Sequence, residues 1–139
     1  MSLTGEEINP PDMNKQELTL RTGQFALSVF RLAETFPDTR AATVVTNQLL
    51  RSSSSVAANY RAALRGKSRA DFLNKLKIVL EEVDESEFWL TFAGELSMLS
   101  PDNAELKRLQ KEAFELTALF AASVKTISTE KSQIINHKS

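Results

Sequence analysis

The chain has 139 residues, a formal net charge of −1, no cysteine and a single histidine, His137. This is the length of one domain. Because the chain has no cysteine, it has no disulfides and no thiolate metal sites. A single histidine excludes most zinc sites and every catalytic triad that uses histidine. With 4 glycines and 4 prolines, the chain also has too few turn residues for an all-β fold. Because the net charge is close to zero, any contact with nucleic acid requires a local cluster of cations.

The two ends of the chain are polar. We expect residues 1–13, which contain a Pro-Pro pair, and residues 129–139 to form flexible segments around a bundle of residues 14–128. The N-terminal segment has neither the basic nor the apolar region of a signal peptide. No stretch reaches the roughly 18–20 apolar residues that a membrane helix needs. The sequence therefore predicts a cytoplasmic protein that does not contact membranes.

The first two helices are predicted over about residues 15–36 and 39–65. In the first, apolar residues recur at spacings of three and four, Asn14 is the expected N-cap, and Pro37 ends the pattern. In the second, the apolar period continues through the serine run of residues 52–55, and Gly66 follows the helix. We interpret the serines as a seam of small residues that lets a neighbouring helix pack closely.

The last two helices are predicted over about residues 69–99, with Ser68 as N-cap, and 104–127. Four helices joined by turns of a few residues must be antiparallel to their neighbours. The predicted fold is therefore all-α, an antiparallel up-down-up-down four-helix bundle with shallow crossing angles. An array of helical hairpins is disfavoured because the chain shows no internal repeat.

Aromatic residues on helix three do not fit a single core stripe. Phe88, Trp89 and Phe92 cannot all point in the direction of Leu76 and Leu80. Helices one and two also carry apolar residues outside their core stripes. We interpret this surplus as surface that is buried against further copies of the chain, which predicts a homo-oligomer. The alternative is a wide core stripe with one or two exposed aromatic residues.

Charge is segregated along the sequence. Residues 51–77 contain seven bases and one acid, whereas residues 78–105 contain eight acids and no base. The basic cluster spans the turn between helices two and three, where it can form a positive rim that contacts RNA or DNA phosphates. The candidate nucleic-acid-binding residues are Arg61, Arg65, Lys67, Arg69 and Lys75.

Two other interpretations of these charges stay open. In the first, Glu81 and Glu85 on helix three pair with Arg51 on helix two, and Arg61 pairs similarly. In the second, Glu81 and Glu85 form half of a metal site, as in an all-α magnesium-dependent hydrolase. No second acidic cluster is placed to face them, and the helices lack the histidines of a di-iron centre. We therefore expect no catalytic residue, no metal and no cofactor.

Residues 49–90 carry a resemblance to a known family. The matching features, in chain order, are Arg51, the serine run 52–55, Ala58-Asn59, Lys67-Ser68, Phe72, and Glu81 with Glu85. Over about residues 18–99 the chain resembles the bacterial four-helix-bundle proteins encoded by intervening sequences in 23S ribosomal RNA genes, to which the accessory variability protein of diversity-generating retroelements is related.

The resemblance implies an assembly and a function that the residues alone do not indicate. It implies a non-enzymatic bundle that assembles as a ring-like homopentamer and binds nucleic acid, or a protein that acts on nucleic acid. Many members follow the asparagine with an Ile-Ala-Glu-Gly type of run, whereas this chain has Tyr60-Arg61-Ala62-Ala63. Any role of that glutamate therefore does not carry over, and the local surface is more basic. The further alternative is a protein-interaction scaffold that does not bind nucleic acid.

Overall fold

The computed structural model describes the backbone of residues 15–138 and the side chains of residues 15–130. The described backbone contains four helices: α1 (Lys15–Ala33), α2 (Arg40–Leu64), α3 (Arg69–Glu95) and α4 (Ala104–Lys138). The described residues contain no strand, so the predicted all-α four-helix fold is confirmed. The expectations for Asn14 and for residues 1–13 lie outside the described residues.

Each helix packs on its neighbours in the order of the chain. α2 packs against α1 and α3, α3 packs against α4, and a smaller contact between α1 and α4 completes the bundle. Because the connections have at most eight residues, consecutive helices are antiparallel. α1 and α3 thus lie across the diagonal of the bundle, and their outward faces lie on opposite sides of the molecule.

The core follows the predicted helical spacing. On α4 the stripe runs through Leu106, Leu109, Ala113, Leu116 and Phe120, each at most 1% exposed. Tyr60 of α2 is also buried, and its ring centroid lies 5.5 Å from that of Phe120. This burial raises the pKa of the Tyr60 hydroxyl to about 12. Tyr60 is therefore a packing residue of the core.

The serine run forms the close seam that the sequence predicts. α2 is continuous through residues 52–55, and Ser52 and Ser53 are buried. The Ser52 Oγ atom lies 3.0 Å from Ser86 Oγ of α3. This distance is achieved because a hydroxymethyl group is small enough for the two helices to approach at this point.

Helix α3 ends four residues before the predicted boundary. Ser97 has a φ of 58°, the left-handed conformation that ends many helices. Its N–H donates to Gly94 O and the Met98 N–H donates to Ala93 O, both at 3.0 Å, which is the pattern of a Schellman motif. Leu96 and Ser97 are both exposed, so the core face of α3 ends before them.

The ends of α1 and α4 also differ from the prediction. α1 stops at Ala33, and Phe36 N–H donates to Ala33 O at 3.1 Å in a tighter turn before Pro37. α4 does not end near Ile127 but continues to Lys138, because neither glycine nor proline interrupts that stretch. Among the described helices, none is both long enough and apolar enough to cross a membrane.

Candidate nucleic-acid interface

A four-residue turn between α2 and α3 holds the candidate interface together. Ser68 caps α3, since its Oγ accepts a hydrogen bond of 3.0 Å from Asp71 N–H. The Asp71 carboxylate in turn accepts from Lys67 N–H at 3.3 Å. A Cβ on Gly66 would lie 3.0 Å from Asp71 Oδ2 and 3.1 Å from Ala63 O, so a larger residue would have to displace these atoms by a few tenths of an ångström. The turn is therefore compact, and it presents its long side chains outward.

Four of the five candidate cations are available to bind an anion. Arg61, Arg65 and Lys67 are exposed and Lys75 is half-buried. None of the four forms an ion pair with any other side chain that the structure describes. Arg69 differs, because its guanidinium contacts the Glu130 carboxylate of α4. That contact offsets the charge of Arg69 and ties the start of α3 to α4.

The Ser52–Ser86 contact determines how the cations are arranged along the bundle. α2 and α3 are antiparallel and meet at Ser52 and Ser86. Arg61 comes nine residues after Ser52 and Lys77 comes nine residues before Ser86, so Arg61 and Lys77 lie at the same height along the bundle. At a rise of about 1.5 Å per residue, Arg61 lies roughly 5 Å before the end of α2 at Leu64, and Lys75 lies roughly 9 Å after the start of α3 at Arg69. The cations thus gather at one end of the bundle, near the turn.

Arg51 lies away from this end and belongs to the packing of α2 on α3. Its Nη1 lies 3.2 Å from Glu82 Oε1, and its Nη2 contacts the Glu85 carboxylate. The contact with Glu85 lowers the pKa of that carboxyl and raises the pKa of Arg51. Glu82, rather than the predicted Glu81, is the second partner. Glu82 lies one turn before Ser86 on the edge of α3 that faces α2, whereas Glu81 is turned outward and exposed.

An ion pair that sequence analysis missed joins α1 to α4. Arg21 donates from Nε to Glu112 Oε2 at 3.0 Å and from Nη2 to Glu112 Oε1 at 2.7 Å. These hydrogen bonds raise the pKa of Arg21. The sequence signal for this ion pair is that each partner adjoins a buried residue: Arg21 precedes the buried Thr22, and Glu112 precedes the buried Ala113. This pair leaves Arg21 unavailable to nucleic acid.

Phe88, Trp89 and Phe92 form one aromatic cluster on the outward side of α3. The Phe88 ring stacks on Phe92 with centroids 5.6 Å apart and meets the edge of Trp89 at 4.8 Å. Trp89 and Phe92 also pack against the core, and Trp89 Nε1 donates to Glu85 Oε2 at 3.2 Å. Phe88 remains 54% exposed. The bundle therefore does not close over this aromatic cluster.

Other apolar side chains are exposed as well. Phe114 of α4, which sequence analysis missed, is 66% exposed. It lies one turn beyond Gln110, whose side chain donates to Thr91 of α3 at 3.3 Å. Since Phe88 lies about one turn before Thr91 on an antiparallel helix, Phe114 and Phe88 are at the same height on adjoining helices. Phe114 is therefore a second exposed aromatic residue at the height of Phe88, on the adjoining helix.

The acidic residues of α3 do not assemble a metal site. Within the described part of the chain, no group of three or more histidine, aspartate or glutamate residues is arranged to hold a metal ion. Glu82 and Glu85 are instead engaged by Arg51. Of the two carboxylates that suggested a hydrolase, Glu85 thus serves the packing of α2 on α3, whereas Glu81 is exposed.

Comparison with known proteins decides the family. The profile of the 23S rRNA-intervening sequence protein family matches residues 15–122, which include α1, α2, α3 and the first half of α4. The chain belongs to the 23S rRNA-intervening sequence protein family. The resemblance predicted from the serine run and the residues that follow it is thereby confirmed.

A solved structure from a related protein has the same fold. This 23S rRNA-intervening sequence family member is similar to the crystal structure of a protein of unknown function from the S23 ribosomal protein family of Bacteroides thetaiotaomicron. The two share 28% sequence identity and a TM-score of 0.72, over 81% of this chain and 98% of the other. Comparison with curated proteins finds no match.

Proposed function

We propose that this family member is a non-enzymatic, cytoplasmic, self-associating protein that binds RNA or DNA through the cations at the α2–α3 end. The observation that carries the proposal is that Arg61, Arg65, Lys67 and Lys75 gather there without ion pairs to other described side chains. Cations that neutralise phosphates release condensed counterions, which drives binding without base-specific contacts. The family name, which refers to an insertion in ribosomal RNA genes, agrees with a role beside nucleic acid.

Self-association is the second part of the proposal. Exposed apolar patches on a protein surface are typical of interfaces, and Phe88 and Phe114 are exposed aromatic residues at the same height on two adjoining helices. Association would bring several basic ends together, so that a chain of net charge −1 can still present a strongly positive surface. We include in this proposal the ring-like homopentamer that the family resemblance implies.

The two surfaces are far enough apart to be tested separately. Lys75 and Phe88 are 13 residues apart on one helix, which corresponds to roughly 20 Å along its axis. Substitutions at the basic end therefore do not touch the aromatic cluster. A loss of nucleic-acid binding in such a variant can be separated from a loss of association.

The test compares two charge-reversal variants with the same change in charge. Arg65→Glu/Lys67→Glu alters the basic end, and Arg40→Glu/Lys111→Glu alters exposed cations elsewhere that have no ion pair to a described side chain. Fluorescence anisotropy with labelled duplex RNA, single-stranded RNA and duplex DNA measures affinity at about 0.1 M salt. We expect the first variant to bind at least about tenfold more weakly and the control to change by less than about threefold.

A scaffold that binds only proteins is the second candidate function, and the exposed aromatic cluster favours it. The same experiment separates the two candidates. If wild-type protein shows no salt-sensitive affinity for any of the three nucleic acids at low ionic strength, the nucleic-acid proposal is wrong and the scaffold is favoured. Equal affinities of the two variants would show that binding does not use the α2–α3 end.

A further inference from the structure

The outward face of α1 is apolar from Leu20 to Phe30. Between Leu18 and Phe30 the exposed residues are Leu20, Gln24, Leu27 and Phe30, and the one charged residue, Arg21, is held by Glu112. Exposed charged residues of α1 lie at the two ends of this face, Glu17 before it and Arg31 after it. Leu20 is 64% exposed and Leu27 is 49% exposed. A helix on the surface of a monomeric bundle normally has charged residues on its outer face, whereas charged residues are depleted at the centres of interfaces.

Gly23 lies in the middle of this face, between Leu20 and Leu27. A glycine inside a helix is unfavourable relative to alanine, so a reason for its presence is expected. Within the described structure there is none, because a Cβ on Gly23 would meet no atom within 4 Å. The missing side chain leaves a shallow hollow, flanked by two leucines, that is open to the outside. We name Leu20, Gly23, Leu27 and Phe30 the α1 stripe.

The aromatic cluster of α3 offers an exposed ring, Phe88, that can fill the open space at Gly23, and it has a different charge environment. Glu81, Asp84 and Glu95 lie on the same face of α3 as Phe88, four to seven residues from it, and these exposed acids form no ion pair with other described side chains. Two such acidic rims facing each other would repel, and a phosphate backbone would be repelled as well. The α1 stripe contains no acid, so it can approach this rim.

From these observations we infer that the α1 stripe of one copy receives the aromatic cluster of the next copy. The inference rests on the proposed self-association and identifies the two surfaces that meet. α1 and α3 lie across the diagonal, so the two surfaces cannot cover each other within one chain. When two copies are joined by this contact, one α1 stripe and one aromatic cluster remain uncovered, so further copies can bind. The occupant of the α1 stripe is thus a second copy of this chain.

Two single variants and their mixture test this inference. Leu27→Glu alters the α1 stripe, Phe88→Glu alters the aromatic cluster, and Val44→Glu is the matched control because Val44 is an equally exposed apolar residue on α2. Light scattering after size separation measures the mass of each protein. We expect the wild type and the control to be larger than a dimer and each of the other two variants to be a 15.5 kDa monomer.

The mixture is the decisive sample. Leu27→Glu keeps an intact aromatic cluster and Phe88→Glu keeps an intact α1 stripe, so equal amounts should form one contact and give a species of twice the 15.5 kDa mass. A mixture that stays monomeric overturns the inference, as does a Leu27→Glu protein of wild-type size. A wild type that is itself monomeric would instead refute the proposed self-association.

Gly23→Ala provides a test that does not depend on introducing charge. Alanine favours helix, so this substitution should raise the urea midpoint of the monomeric Phe88→Glu protein. In the otherwise wild-type chain it should fill the hollow and weaken association by about tenfold or more. An alanine variant that is more stable and associates as tightly as the wild type would show that nothing binds at the hollow.

Discussion

The hydroxyl oxygens of Ser52 and Ser86 lie 3.0 Å apart at the buried contact between α2 and α3. Each oxygen also lies near a carbonyl of its own helix, Leu49 O at 3.3 Å and Glu82 O at 2.8 Å. Both hydroxyls thus have partners in an otherwise apolar region. This contact fixes the register of the two helices, and the register places Arg61 level with Lys77 in the first half of α3.

The serine contact gives the first prediction. Ser86→Ala should lower the free energy of unfolding by about 1 kcal/mol, because it removes one partner of a buried hydroxyl. Ser52→Leu should cost more, about 1–3 kcal/mol, because the helices have no room for a larger side chain. Urea unfolding of Ser52→Ala, Ser86→Ala and the double variant measures the coupling. Additive effects of the two alanine substitutions would show that the hydroxyls do not interact.

Acid should release Glu85 from Arg51 and Trp89. The contact with Arg51 lowers the Glu85 pKa below its ordinary value of 4.5, so its stabilising effect is present above pH 4.5 and is lost as the pH falls through the lower, folded-state pKa. Because Trp89 is the only tryptophan and donates to Glu85, its fluorescence should change with a midpoint below 4.5. Glu85→Gln should abolish this transition. A transition that survives in Glu85→Gln would contradict the assignment.

The left-handed residue at the end of α3 gives a stabilising substitution. Ser97→Gly should raise the free energy of unfolding by about 0.5–1 kcal/mol, since glycine adopts a positive φ without steric cost. Ser54→Gly is the matched control, because Ser54 is an exposed serine inside α2. This substitution should lower the free energy of unfolding by about the same amount. Thermal or urea unfolding of both variants measures the difference. Effects of equal sign would contradict the left-handed assignment.

The ion pair between α1 and α4 is expected to contribute to stability. Glu112→Gln should lower the free energy of unfolding by about 1 kcal/mol, because the Arg21 guanidinium loses a two-point, half-buried partner. Glu105→Gln should cost less, since its partner Arg108 lies on the same helix and is exposed. The comparison is made by urea unfolding at low and high salt. An equal cost for both substitutions would show that α1 is not tied to α4 in this way.

The fold was largely predictable because each helix has a regular apolar stripe and a short connection. The Ser68 cap and the packing of the serine run also followed from local chemistry. The end of α3 did not, because a serine at position 97 carries no glycine-like signal for a left-handed residue. The end of α4 was placed too early because loss of apolar periodicity is a weaker stop signal than glycine or proline.

The candidate site was less predictable, because it depends on how the helices are rotated against one another. Sequence order placed the cations at one turn, but pairing of Arg69 with Glu130 requires the α3–α4 contact to be known. Choosing Glu82 over Glu81 likewise needed the direction in which Ser86 points. The sequence did not indicate a role for Gly23, because the open space beside it can be seen only when the neighbouring side chains are placed.

The salt dependence of RNA and DNA binding tests the central claim most directly. Four phosphate contacts, one for each of the candidate cations Arg61, Arg65, Lys67 and Lys75, predict that log K falls against log salt with a slope of about −3 or steeper. Arg65→Glu/Lys67→Glu should flatten this slope by about 2, whereas Arg40→Glu/Lys111→Glu should leave it unchanged. A wild-type slope near zero, or the same slope in both variants, would contradict the claim that this end of the bundle binds nucleic acid.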